Sequence, residues 1–191
     1  MGTTGFGIVL FFSIVALCSP LIIRYPVAEQ HYDNLKEPPS SAYWLGTDQY
    51  GRDLFSRLVA GARVSLQVGF LAVVIGAGVG ALIGLMSGYF MGKLDAIVQR
   101  LVDMWMSFPD LILALTIVAV FGNTLMNVIF AIAATILPRG VRVIRSSTIS
   151  LRETDYVLAA RAIGATNPRI IFKHKLPKGM APYLTIMAHI F

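Results

Sequence analysis

Residues 64–88 read VSLQVGFLAVVIGAGVGALIGLMSG, an uncharged and almost wholly apolar run. A helix that crosses a bilayer needs about 20 mostly apolar residues, because the hydrocarbon core is about 30 Å thick. Val64 to Met86 meets that requirement and predicts a transmembrane helix. Gly76, Gly80, Gly84 and Gly88 recur within the run at i, i+4 spacing, so on a helix they share one face. A stripe of small residues lets a second backbone come close, which is how helices pack in lipid without a hydrophobic drive. The stripe reads as a static helix-packing face, with a moving helix–helix contact as the alternative. Both predict a helix bundle, and neither makes these glycines pore-lining.

The rest of the chain agrees. Hydrophobic residues make up 56% and charged residues 14% of the 191 positions. Soluble domains hold about 45–50% apolar and about 25% charged residues, so the surplus here has to face lipid. Further spans are predicted over Phe6–Ile23, Pro109–Phe121 (starting at Met104 at the earliest) and Leu125–Leu137. Another opens near Ala181 and meets the end at Phe191, which suggests a fragment truncated in its fifth span. Gly122-Asn123 is a tight-turn dipeptide that should make the third and fourth spans a helical hairpin. The expected fold is an all-α, polytopic transmembrane helix bundle. It divides into a first transmembrane helix (1–24), an extracytoplasmic segment (25–62) and a transmembrane core (63–191) with a cytoplasmic loop over 139–180.

Charge sets the expected orientation. The chain carries a formal charge of +6, from 16 Lys+Arg against 10 Asp+Glu. Between residues 25 and 62, Lys36, Arg52 and Arg57 are outnumbered by Glu29, Asp33, Glu37, Asp48 and Asp53. Between 139 and 180, Arg139, Arg142, Arg145, Arg152, Arg161, Arg169, Lys173, Lys175 and Lys178 face only Glu153 and Asp155. Basic loops stay in the cytoplasm, so the second segment is predicted inside, the first outside and the N-terminus inside. There is no long basic tail and no aromatic-plus-basic motif, so the positive balance does not indicate nucleic-acid binding.

Few residues suggest chemistry. Cys18 is the only cysteine, which excludes an internal disulfide and a thiolate cluster. A lipoprotein signal ending there would want a basic start and a small residue at Leu17, so residues 6–23 are read as a retained helix. Gly88-Tyr-Phe-Met-Gly92-Lys93 is one residue too short for a phosphate-binding loop and lacks the following Ser or Thr. His31, His174 and His189 have no metal-ligand spacing. Asp103 and Asp110 flank Phe108-Pro109 at the expected cytoplasmic entry of the third span, and Asp110 follows Pro109 in a first helical turn, where a carboxylate is favoured. That is preferred here to an ion or proton relay. Arg139, Arg142 and Arg145 recur every third residue, but Pro138 and Gly140 are expected to interrupt the helix, leaving the arginines to snorkel at the inner interface. No catalytic residue, metal ligand or cofactor is expected.

The segment Asp155–Pro182 reads DYVLAARAIGATNPRIIFKHKLPKGMAP. Asp155 can cap a short helix over Tyr156–Ile163 and Gly164 can end it. Ile170, Ile171 and Phe172 follow Pro168 on a second helix, with Lys173 and Lys175 near its end. A small-residue, mildly apolar helix in a cytoplasmic loop is suited to lie in a groove on a soluble partner. Here the chain resembles the inner-membrane permeases of ABC importers, whose cytoplasmic motif is E-A-A-x3-G-x9-I-x-L-P. Ala159, Ala160, Gly164, Leu176 and Pro177 match it at full spacing, with Leu158 in place of Glu and His174 in place of Ile. Leu158 cannot make a salt bridge from that position, but the helix-turn-helix pattern is kept. Trp44-Leu-Gly-Thr-Asp-Gln-Tyr-Gly-Arg-Asp-Leu-Phe-Ser-Arg-Leu58 and Gly61-Ala-Arg-Val-Ser-Leu66 are similar to the dipeptide/oligopeptide/nickel branch, C-type subunit. Residues 44–57, with Trp44 at headgroup level, also suit an interfacial segment.

The resemblance implies a permease subunit of an ATP-driven importer, not itself an enzyme, in the cytoplasmic (inner) membrane. It implies a second permease subunit, two cytoplasmic ATP-binding subunits and an extracytoplasmic substrate-binding protein. A coupling helix over Asp155–Ala165 would dock on the ATPase through Asp155, Tyr156, Leu158, Ala159, Ala160 and Gly164. Arg161 would be a polar anchor, and Leu176-Pro177 would turn the chain back into the bilayer. Peptides lead as cargo, with nickel or another small solute behind. A secondary transporter resting on Asp103 or Asp110, or a channel resting on the arginine triplet, is the alternative.

Overall fold

The computed structural model describes residues 2–152. Within them lie five α-helices: α1 (Gly2–Ile22), α2 (Leu54–Phe90), α3 (Gly92–Met106), α4 (Asp110–Phe121) and α5 (Leu125–Arg152). Strand pairing among the described residues is limited to one isolated bridge between Thr47 and Asp53. Among the described residues, three helices are long and apolar enough to cross a membrane, and α3 with α4 form a further pair bent by 86°. The protein is a multi-pass membrane protein. The chain falls into two compact units that meet between Val68 and Gly69.

In the first unit, α1 is apolar on all sides, and Ala16 and Ser19 are its buried residues. The loop that follows is tied by polar contacts. The Ser56 hydroxyl accepts from the backbone N–H of Arg24 and of Tyr25, each at 3.3 Å. Buried Tyr43 packs against the rings of Tyr25 and His31. Asp48 accepts from the N–H of Tyr50 at 2.8 Å and of Arg52 at 3.0 Å, and Arg52 Nε returns to it at 2.8 Å. Gly51 turns this loop with φ +72°, where a side chain would strike the His31 backbone. Desolvation alone would raise the Asp48 carboxyl, but the Arg52 and Tyr50 N–H groups and the Arg52 guanidinium outweigh it and hold it below the usual carboxylate range. Asp53 then caps α2 by accepting from Ser56 N–H at 2.9 Å. This cap starts the helix at Leu54, ten residues before the apolar run, so part of the expected interfacial segment is helical.

In the second unit the glycine stripe meets α5. A Cβ on Gly76 would collide with the Ala133 backbone, and one on Gly84 with the Val141 carbonyl. On Gly80 it would lie 2.6 Å from the Leu137 carbonyl oxygen, and on Gly88 2.8 Å from that of Arg145. Each step of four on α2 is matched by a step of four on α5, in the same chain direction. The two helices therefore pack parallel, backbone on backbone. Around this seam lie the buried Ala72, Val73 and Ala77 of α2 and Ile129, Ile136 and Ile144 of α5. Gly140 belongs to it as well, because a Cβ there would sit 3.4 Å from Ala77 Cα.

Parallel packing decides what the bent pair is. Two parallel spans begin on the same side of the membrane, so the chain between them has to cross back. Helix α4 has 12 residues and α3 has 15, which is about 18 Å and about 22 Å of rise, each short of a bilayer. Together they make one broken span, interrupted at Ser107–Pro109. The expected third span over Pro109–Phe121 is thus half of a crossing. The expected hairpin forms: Asn127 Nδ2 donates to the carbonyls of Phe121 at 2.6 Å and Gly122 at 3.1 Å. The Thr124 hydroxyl accepts from Asn127 N–H at 3.3 Å at the start of α5. One expectation fails. Pro138 and Gly140 do not interrupt the helix, for α5 runs through both to Arg152, and residues 139–152 are helical rather than loop. Pro138 costs α5 a backbone hydrogen bond, and the helix continues through it where the close seam along α2 packs against the same stretch.

Candidate functional site

The bend in the third span sets carboxylates against the arginines of α5. Asp95 and Asp103 lie on α3 and Asp110 opens α4 beyond the break. Arg139, Arg142 and Arg145 project from α5 at steps of three. Arg139 pairs with Asp110 at 2.5 Å, Arg142 with Asp103 at 2.5 Å and Arg145 with Asp95 at 2.6 Å. The numbers rise along α3–α4 as they fall along α5, which confirms that the broken span runs antiparallel to α5.

The pairs are not alike. Arg145 grips Asp95 with two parallel bonds, Nε to Oδ1 and Nη2 to Oδ2, each 2.6 Å. Ser87 of α2 donates its hydroxyl to Asp95 as well, and Gln99 Nε2 donates to Ser87 at 3.3 Å. Ser87 is fully buried and Asp95 nearly so. This node joins α2, α3 and α5 just before Met91-Gly92, where φ values of +53° and +64° reverse the chain into α3. The two other pairs are each joined by a single hydrogen bond and are about half exposed. Beside Arg139 and Asp110 is a cavity of about 260 Å³ lined also by Trp105, Met106, Phe108, Pro109, Thr135 and Pro138.

These positions bear on three expectations. Asp110 stands in the first turn of α4, where a helix start favours a carboxylate, and its side chain also binds Arg139. Asp103 lies in the last turn of α3 and binds Arg142. The arginines are held by carboxylates rather than left to snorkel, because a continuous α5 keeps them facing α3 and α4. Asp95, Ser87 and Gln99 were not singled out from sequence. The available signal was composition: acidic residues at 95, 103 and 110 with a basic triplet at 139, 142 and 145 to answer them. Gly76, Gly80, Gly84 and Gly88 lie against the α5 backbone. The coupling residues Asp155, Tyr156, Leu158, Ala159, Ala160, Arg161, Gly164, Leu176 and Pro177 lie outside the described residues. Among the described residues no group of His, Cys, Asp and Glu could hold a metal ion.

Comparisons with known proteins bear on this arrangement. Residues 80–191 match the family described as the binding-protein-dependent transport system inner membrane component. A dipeptide transport system permease protein, DppC, of Alkalihalophilus pseudofirmus is 41% identical over 184 residues, covering 96% of this chain and 60% of the relative. A glutathione transport system permease protein, GsiD, of Pectobacterium atrosepticum is 39% identical over 171 residues, covering 88% and 56%. That of Escherichia coli is 40% identical over 179 residues, covering 93% and 59%. The chain thus spans between 56% and 60% of the length of these relatives.

Proposed function

This chain belongs to the binding-protein-dependent transport system inner membrane component family, and from that premise we propose that it serves as a pore-forming subunit of an ATP-driven importer of short peptides. The observation that carries the proposal is the broken span with its charged ladder. Ionisable side chains within a membrane bundle face the interior or a water-filled path, and unwound backbone at membrane depth has to line a cavity or be covered by protein. Asp103, Asp110, Arg139 and Arg142 are half exposed beside such a break, so their face is the side along which a polar solute would move. Relatives of about 40% identity that carry dipeptide and glutathione names favour peptides as the solute.

Charge supports the orientation. The acidic composition of residues 25–62 favours the outer side, and the basic composition of residues 139–180 favours the inner side. The basic side is then cytoplasmic, as is the N-terminus. The motif of Ala159, Ala160, Gly164, Leu176 and Pro177 would follow α5 on the cytoplasmic side, where ATP-binding subunits could receive it. A second permease subunit would close the path, and an extracytoplasmic binding protein would deliver the peptide. Closure of the two ATPases on nucleotide would draw the coupling segments together and switch access across the bilayer.

The test is ATP hydrolysis and peptide uptake in proteoliposomes holding the full-length protein with these partners. Hydrolysis should rise with loaded binding protein, and Gly164→Asp should abolish that rise with the complex still assembled. Uptake that survives ATP depletion would overturn the proposal in favour of a secondary transporter.

A further inference from the structure

The cavity at the break holds an ion pair joined by one hydrogen bond and open to solvent on both partners. Arg139 and Asp110 share a single hydrogen bond, and their side chains are 58% and 53% exposed. By contrast Arg145 and Asp95 share two bonds and are 29% and 11% exposed. A guanidinium can take a carboxylate through two parallel N–H donors, so Arg139 has a better arrangement open to it than the one it makes with Asp110. Trp105 and Phe108 line the same cavity with aromatic surface, while Met106, Pro109 and Pro138 supply apolar walls. Its volume of about 260 Å³ suits one or two residues of a peptide rather than a folded chain.

We propose that this cavity is a transit site for a short peptide, with Arg139 taking the peptide's C-terminal carboxylate as its bond to Asp110 opens. Trp105 and Phe108 then border the peptide's side chains. Asp110, set free, faces the cavity as a second charge and keeps the site from holding an anion tightly. That balance suits a carrier, which has to release what it binds. This inference rests on the peptide-import reading and adds to it a residue and a chemical group.

The experiment uses the complete transporter in proteoliposomes, with Cys18→Ser and a reporter cysteine placed in the cavity by Thr135→Cys. The readout is the rate at which a small maleimide labels the reporter while trialanine or its C-terminal amide is supplied on the binding protein. Trialanine should slow labelling about tenfold when supplied at about ten times its half-saturating concentration. The amide should protect far less, and Arg139→Gln should erase the difference between the two. Met106→Cys serves as an independent reporter in case Thr135→Cys does not assemble. If the transporter takes up trialanine but neither reporter is protected, the site is wrong and peptide import stands. If both peptides protect alike in the presence of Arg139, the carboxylate assignment is wrong. If the unsubstituted transporter takes up no peptide, the import reading falls and this inference with it.

Discussion

Helix α5 is held along two faces by opposite means. Toward α2 it offers backbone, and Gly76, Gly80, Gly84 and Gly88 admit it because they have no side chain to exclude it. Toward α3 and α4 it offers Arg139, Arg142 and Arg145, each held by a carboxylate. The first face is fixed by shape, and contact there is either made or lost. The second is fixed by charge and grades from a buried, doubly bonded node at Asp95 to half-exposed single bonds at Asp103 and Asp110. A bundle built this way ties α2 to α5 by shape and the broken span to α5 by charge.

The sharpest way to break that contrast is at the glycine seam. Gly84→Leu should cost more than about 3 kcal/mol, beyond the usual range for overpacking, because the colliding atoms are backbone. The expected outcome is loss of folded protein, read by thermal unfolding and by size-exclusion in detergent; a folded, wild-type-like variant would deny that the seam is rigid. Next comes the node. Asp95→Ala should destabilise by about 2–3 kcal/mol, less than the full cost of orphaning a buried charge because Arg145 is 29% exposed. The same thermal measurement should show Asp95→Asn as milder, since it keeps the contact with Ser87. Arg142→Gln should cost about 1 kcal/mol or less, since its pair is half exposed and singly bonded. A loss there as large as at Asp95 would erase the gradient along the ladder.

The smallest expected effect lies away from α5, in the loop before α2, where Asp48 gathers Tyr50, Arg52 and Arg57. Its carboxyl is held below the usual value, so the folded loop prefers the ionised form. The stabilisation is complete above the ordinary Asp value of about 3.9 and is lost as pH falls through the lowered folded value. Protection of the Tyr50 and Arg52 amides from hydrogen exchange, relative to the intrinsic rate at each pH, should therefore fall only in that acidic window, and Asp48→Ala should remove that fall.

What the sequence revealed follows from which interactions are periodic. The glycine stripe was legible because shape repeats with the helix, and four-residue spacing names its own face. The hairpin at Gly122-Asn123 was legible because turn chemistry is local. The ladder was not, because it depends on two facts absent from local pattern: that α5 continues through Pro138, and that the third span bends at Ser107–Pro109. Pro138 looks like an end when only its own helix is considered. It is tolerated because α2 packs along the same stretch, a contact that lies more than fifty residues away in the chain. With α5 taken to stop at Leu137, the arginines fell in a loop, and Asp95 then had no reason to be noticed.

The glycine seam also bears on how this sequence can vary. Where any side chain would strike backbone, a position stores the identity of one residue and nothing more. Gly76, Gly80, Gly84 and Gly88 are such positions, and drift at any one of them has no neighbour that could compensate. An ion pair carries a different kind of record, because Arg142 and Asp103 can change together and keep their meaning. Among relatives, the seam should therefore be written in invariant letters and the exposed rungs of the ladder in matched pairs.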